Sequence, residues 1–207
     1  MLMLNALAAS PATRTDQRVA PLRVLLREAT QDVHERLHRH EGFAAVQNST
    51  IDIAAYRRLL RRLYGFYVPF ETAAAVDPIR SGWLREDLRT LEIDRPTLRA
   101  TLLCDEIPCL ASAERRLGAL YVVEGSALGG RGLARGLDGL LGRDVTDGRR
   151  FFTGRGAGTG EAWRRYLAQL SAASDAASAR TRVVSAALET FEVFETWLSG
   201  WSSPSHG

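Results

Sequence analysis

Between residues 118 and 139, glycine recurs at positions 118, 125, 129, 132, 136 and 139, in steps of 7, 4, 3, 4 and 3. These are helical steps, so on a helix the glycines share one face. Each interior glycine costs about 1 kcal/mol relative to alanine. A helix that accepts several on one face gives up stability so that something can approach its backbone closely. Spacing alone leaves two occupants open, a neighbouring helix or a flat ligand. Leu120, Val122, Val123, Leu128, Leu133, Leu137 and Leu140 supply the apolar content of a buried helix around the stripe.

The rest of the chain carries the same period. Leu22, Leu25, Leu26, Ala29, Val33 and Leu37 repeat at 3 and 4, which predicts an amphipathic helix opened by Pro21 and broken near Glu41 and Gly42. Asn48, Ser49 and Thr50 read as the cap of a second long helix, from about Ile51 through Glu71, with Pro69 a candidate kink. Its arginines 57, 58, 61 and 62 read as a solvated face. Two shorter helices are expected over 78–91 and 95–104, each with proline near its start. After the glycine-rich helix, 142–160 reads as an irregular connector. Helices follow over 161–170 and 176–201, the last with an aromatic stripe that includes Phe191, Phe194, Trp197 and Trp201. No stretch sustains a strand-like alternation and there is no internal repeat. The expected class is all-α, with one domain over 21–201 flanked by tails at 1–20 and 202–207.

Composition excludes several functions. The net charge of +3 is too small to indicate nucleic acid, and no arginine block interleaves with aromatics. All 27 basic residues are arginine. No apolar run reaches the length of a membrane span. The N-terminus lacks the positive region of a signal peptide. Cys104 and Cys109 have no second pair with which to complete a zinc site, and they read as reduced thiols of a cytoplasmic protein.

Three of the four histidines, His34, His38 and His40, fall together. His34 through His38 spell H-E-x-x-H, which on a helix puts two imidazoles on one face beside Glu35. A zinc hydrolase needs a third ligand, and no histidine lies between His40 and His206, which leaves only a carboxylate such as Glu71. Glu35 and His38 form half of a di-iron pattern, but no second Glu-x-x-His occurs. His34 flanks the apolar stripe of its helix. Arg27, seven residues earlier, lies on nearly the same face and about 10 Å away along the axis. An imidazole and a guanidinium so placed suit a metal macrocycle with an acidic edge.

Two motifs then make a resemblance specific. Residues 26–34, ending in His34, resemble the proximal helix of the heme oxygenases, and residues 118–130 resemble the distal helix of their bacterial members. The segment Tyr64–Glu71 and the aromatic C-terminal helix also fit, so that the likeness covers about 22–200. The resemblance implies a helical bundle that holds heme between a proximal helix and a kinked distal one. It implies His34 as the axial iron ligand, its other nitrogen held by a carboxylate or carbonyl. Gly125 and Gly129 are then expected over the distal face, Gly130 at the bend and Arg27 near the propionates. Gly118 and the run from Gly132 to Gly139 are left to helix packing. The resemblance further implies that heme is both cofactor and substrate, opened with molecular oxygen to biliverdin, carbon monoxide and ferrous iron. Electrons come from an external ferredoxin or reductase, since no flavin or iron–sulfur motif is present. Where mammalian-type members carry a distal aspartate, Ser126 stands here. Glu124 reads as a structural ion-pair partner and Tyr121 as core. Within the family the sequence looks nearest to biliverdin-forming enzymes associated with phytochromes, which implies a bilin-accepting phytochrome as partner. A heme carrier or sensor on the same fold is the main alternative.

Overall fold

The computed structural model describes residues 20–143, 145–173 and 176–201, so the two expected tails, apart from Ala20, lie outside it. Among the described residues the regular structure is entirely helical. In chain order the helices are α1 (Leu22–His38), α2 (Glu41–Gln47), α3 (Ile53–Ala74), α4 (Ile79–Thr90), α5 (Arg95–Arg99) and α6 (Ala113–Gly136). They continue with α7 (Asp138–Leu141), α8 (Arg150–Thr153), α9 (Thr159–Ala172) and α10 (Ala177–Ser199). A 3₁₀ turn at Gly156–Gly158 leads into α9.

The glycine-rich helix α6 is one element, with no interruption at Gly129 or Gly130. It packs most extensively on α10, which also receives α1 on another face, while α3 lies against α4. The stripe on α1 is rotated slightly from expectation. Leu22, Leu26, Thr30, Val33 and Leu37 are buried, whereas Ala29 is exposed. Thr30 is tolerated inside because its hydroxyl donates to the Leu26 carbonyl at 2.7 Å. From α10, Val183, Ala187, Phe191, Phe194 and Leu198 enter the core. Phe66 stacks on Phe70 at 5.4 Å and meets Phe194 edge-on at 4.7 Å, which joins α3 to α10.

Several boundaries differ from expectation. The break at Glu41 and Gly42 is a change of direction, because α2 starts there with His40 as its cap. The His40 Nδ1 accepts the Gly42 N–H at 3.2 Å, and its Nε2 faces the Leu198 carbonyl at 3.1 Å. Two fixed partners of opposite type require a neutral ring with its proton on Nε2. The cap of α3 is Asp52, whose carboxylate accepts the Ala55 N–H at 2.7 Å; Ser49 instead sits at φ 56 in the turn before it. Pro69 does not end α3, which continues to Ala74.

The second short helix stops at Arg99, and 142–160 contains α8 and the 3₁₀ turn. The arginine face of α3 is largely engaged. Arg57 pairs with Glu92 at 3.0 Å, and Arg62 lies 3.5 Å over the Trp197 ring while donating to the Trp197 carbonyl at 2.5 Å.

Candidate functional site

The stripe on α6 serves two purposes along its length. A Cβ on Gly118 would lie 2.9 Å from the Val183 carbonyl carbon of α10 and overlap its oxygen. A Cβ on Gly136 would lie 2.9 Å from the Val46 carbonyl carbon of α2 and overlap that oxygen too. Both ends of the stripe are therefore sites where another backbone comes too close for any side chain. Between them, a Cβ on Gly129 or Gly132 would meet nothing within 4 Å, and one on Gly125 would only touch the Trp163 ring at 3.9 Å. From Gly125 to Gly132 about 10 Å of bare helix is left uncovered. Gly130 points elsewhere, and its Cβ would fall 2.5 Å from the Phe152 carbonyl of α8. The expectation that Gly132 serves packing is therefore not met in the geometry, since it borders the open span.

That span forms one wall of a cleft of about 630 Å³. To the same cleft α1 contributes His34, Leu37 and His38. Phe191 and Phe194 come from α10, Leu63, Phe66 and Tyr67 from α3, and Phe43 from α2. The lining is mostly apolar with a few polar groups, as expected of a site for a flat, largely hydrophobic ligand. The His34 ring meets His38 edge-on at 4.4 Å and Phe191 at 6.4 Å. His34 is exposed, and its partial burial in the cleft lowers the imidazole pKa from the ordinary value, with the neighbouring His38 adding to that effect. A neutral imidazole opening into a cleft is the form that ligates a metal. No bond to its second nitrogen is found among the described hydrogen bonds, so the expected carboxylate or carbonyl partner has no counterpart there.

On the α6 side the polar groups are arranged around Arg80, a residue that sequence reasoning missed. Arg80 reaches from α4, pairs with Glu124 at 2.9 Å and donates to the Val123 carbonyl at 3.3 Å. It is buried, and it lines the cleft together with Glu124. Glu124 thus has the ion-pair role expected of it. Ser126 donates to the Val123 carbonyl at 3.0 Å and lies near the Tyr67 hydroxyl. Burial raises the Tyr67 pKa, so the phenol stays protonated as a donor facing the cleft.

Tyr121 is half-buried against Trp163 and Tyr166, with Thr30 close by, which suits the core role expected of it. Arg27 is exposed on α1 and lies near Tyr121, outside the cleft lining. The basic side chains that do line the cleft are Arg80, Arg135 and Arg155. Arg135 and Arg155 sit in glycine-rich stretches whose periodicity carries no signal for them.

The fit to heme can be judged from these residues. The cleft brings together an imidazole, a stretch of side-chain-free backbone and guanidinium groups in its lining. It suits an iron macrocycle with acidic substituents. Among the described residues no group of three or more His, Cys, Asp or Glu is placed to hold a bare metal ion, so His34 and His38 lack the further ligand that zinc chemistry needs.

Comparisons with known proteins bear on the family and the fold. The sequence model described as heme oxygenase matches residues 20–200. A heme oxygenase of Xanthomonas campestris pv. campestris (strain 8004) is 33% identical over 172 residues, covering 77% of this chain and 98% of that protein. Among solved structures, the heme oxygenase of Leptospira interrogans superposes with a TM-score of 0.71 at 17% identity, over 86% of this chain and 98% of that one. Heme oxygenase-1 of the cyanobacterium Synechocystis sp. PCC6803, solved in complex with heme, gives 0.67 at 17% identity, over 88% and 93%.

Proposed function

The chain belongs to the heme oxygenase family, and on that premise we propose that it binds heme between α1 and α6 and opens the ring oxidatively to biliverdin, carbon monoxide and ferrous iron. The observation that carries this reading is that the bare span from Gly125 to Gly132 and the His34 imidazole line the same cleft. Bound heme supplies the iron that activates oxygen, and it is itself the substrate.

The residues of this chain do the rest. His34 would ligate the iron through its imidazole, whose lowered pKa favours the neutral form. Gly125 and Gly129 let the helix backbone lie against the other face, leaving room for a small molecule such as oxygen but no side chain. Gly130 holds α6 against α8, which fixes the height of that wall. Tyr67 and Ser126 present hydroxyls on the α6 side, where a distal carboxylate is absent, and these are the groups that hold water or donate a proton there. Arg80, kept in place by its ion pair with Glu124, adds buried guanidinium N–H donors to the same wall. Arg135 and Arg155 are placed to take the acidic edge of the ligand, with Arg27 an outer basic contact.

Electrons come from outside the chain, from a ferredoxin or reductase, and a bilin-accepting phytochrome is the proposed consumer of the product. None of the helices among the described residues is long and apolar enough to cross a membrane, in keeping with the proposed cytoplasmic location. The functional unit is residues 21–201.

Optical spectra of the purified protein with hemin test the reading. Under reductant and oxygen the Soret band should disappear and a broad red bilin absorption should grow. A Soret band that persists, or bleaches without bilin, would leave a heme carrier on the same fold. His34→Ala should weaken hemin binding by tenfold or more, on the order of 1.4 kcal/mol, while His38→Ala should not. Normal binding and turnover in His34→Ala would overturn the ligand assignment.

A further inference from the structure

The helix α8 is four residues long, too short to be stable on its own. It is held from one side by Asp87 of α4, whose carboxylate accepts the Arg150 N–H at 2.7 Å and the Phe151 N–H at 2.8 Å. Asp87 is only 1% exposed. On its other side α8 lays the Phe152 carbonyl against Gly130, and Phe151 and Phe152 line the cleft. One line of contacts therefore runs from Asp87 through the α8 amides to the backbone of α6 beside the bare glycine span.

We propose that Asp87 is a positioning residue, a latch that holds α8 against α6 and so sets the width of the cleft beside Gly129 and Gly130. The functional consequence rests on heme being the occupant; the latch itself does not. The charged and titratable groups around it are Glu86 on its own helix, Arg150 of α8, Tyr56 of α3 and Arg149 just before α8. Arg150 also lies 5.1 Å over the Trp83 ring of α4.

The hold depends on pH, with a sign that follows from proton linkage. Latched, the carboxyl is withdrawn from water, and this burial pushes it up to about 7, against the lowering by its two amide bonds. Released, it meets solvent and returns toward its ordinary value of 3.8. Latching therefore takes up a proton between those two values. The hold is fullest below the lower one, falls about tenfold per pH unit between them, and is level above about 7.

Amide hydrogen exchange on the full chain without ligand tests this. After correction for intrinsic rates, protection of the α8 amides in the wild type should fall by roughly 100-fold between about pH 5 and pH 7. Core amides of α3 and α10 serve as the reference. In Asp87→Asn, which keeps the shape and one acceptor but does not titrate, that fall should vanish. A pH-independent α8 in the wild type, or an equal fall in the variant, would overturn the latch. Should the variant fail to fold, the Asp87 carboxyl carbon can be titrated by NMR in the wild type. A midpoint near 7 supports the latch, and an ordinary carboxyl midpoint overturns it. With hemin and carbon monoxide bound, the C–O stretch reads the distal wall directly. It should shift in Asp87→Asn, and an unchanged stretch would refute control of the cleft. Failure of the wild type to bind hemin would instead refute the proposed function and leave the exchange result standing.

Discussion

The same substitution, glycine to alanine, should have opposite effects at two positions eleven residues apart on one face of α6. At Gly129 an added Cβ meets nothing within 4 Å, so alanine brings only its better helix propensity. This is worth about 1 kcal/mol, or roughly 2–4 °C in Tm for a domain of this size. At Gly118 the added Cβ overlaps the Val183 carbonyl and lies 3.1 Å from the Ala186 Cβ, and both belong to the helix that α6 packs on most extensively. Relief requires α6 and α10 to move apart and to loosen Ala119, Val122 and Val123, which are buried between them and their neighbours. Overpacking of this kind costs about 3 kcal/mol, or roughly 6–12 °C, less the small gain in propensity. Thermal unfolding of the ligand-free protein reads both.

Hemin titration then separates stability from function. Gly129→Leu should remain folded yet weaken binding by about 10- to 100-fold, the equivalent of 1.4–2.7 kcal/mol, because its side chain fills the cleft. Gly139→Leu should leave binding unchanged without lowering Tm, since Gly139 is exposed on α7 with open space around it. If Gly129→Ala lowered Tm as Gly118→Ala does, the whole stripe would be packing. If Gly129→Leu bound hemin normally, the open span would not face the ligand.

Two further outcomes follow from buried polar groups. Burial holds His40 below its ordinary pKa of 6.5, and its Nδ1 must stay unprotonated to accept from Gly42. The contribution is therefore present above 6.5 and lost as pH falls through the depressed value. The stability gap between wild type and His40→Gln, measured by denaturant melts, should shrink as pH is lowered from about 7 to 5, and a constant gap would refute this assignment. Arg149 is buried and donates to the carbonyls of Ala134, Leu137 and Gly142 and to the Asp138 carboxylate, tying down the end of α6. Arg149→Met should cost about 3 kcal/mol, and a variant as stable as wild type would show that water replaces those bonds.

Much of the fold was legible because its helices are long and one-sided. The periods of α1, α3, α6 and α10 each report a buried stripe, and the placement of His34 on α1 follows from the same arithmetic. Short elements were not legible. The α2 helix has seven residues and α8 has four, too few for a period to emerge, and α8 exists because Asp87 and Gly130 hold it from two sides. The engaged arginines of α3 were read as solvated because a charge pattern does not show that Trp197 lies across from Arg62. Arg80 escaped notice for the same reason, its partner Glu124 being 44 residues away in the chain.

The sequence by itself determined that the chain is helical, that a glycine face and a lone cleft-ready imidazole must be explained together, and that the family is that of the heme oxygenases. These are properties of one helix at a time, or of a motif pair, and they need no knowledge of what lies opposite. Only the tertiary structure decided which glycines meet another backbone and which are left bare. On an ideal helix Gly118, Gly129 and Gly136 are equivalent, because periodicity specifies a face. What covers that face is set by the arrival of α10 at one end and α2 at the other, and the uncovered length between them is the cleft.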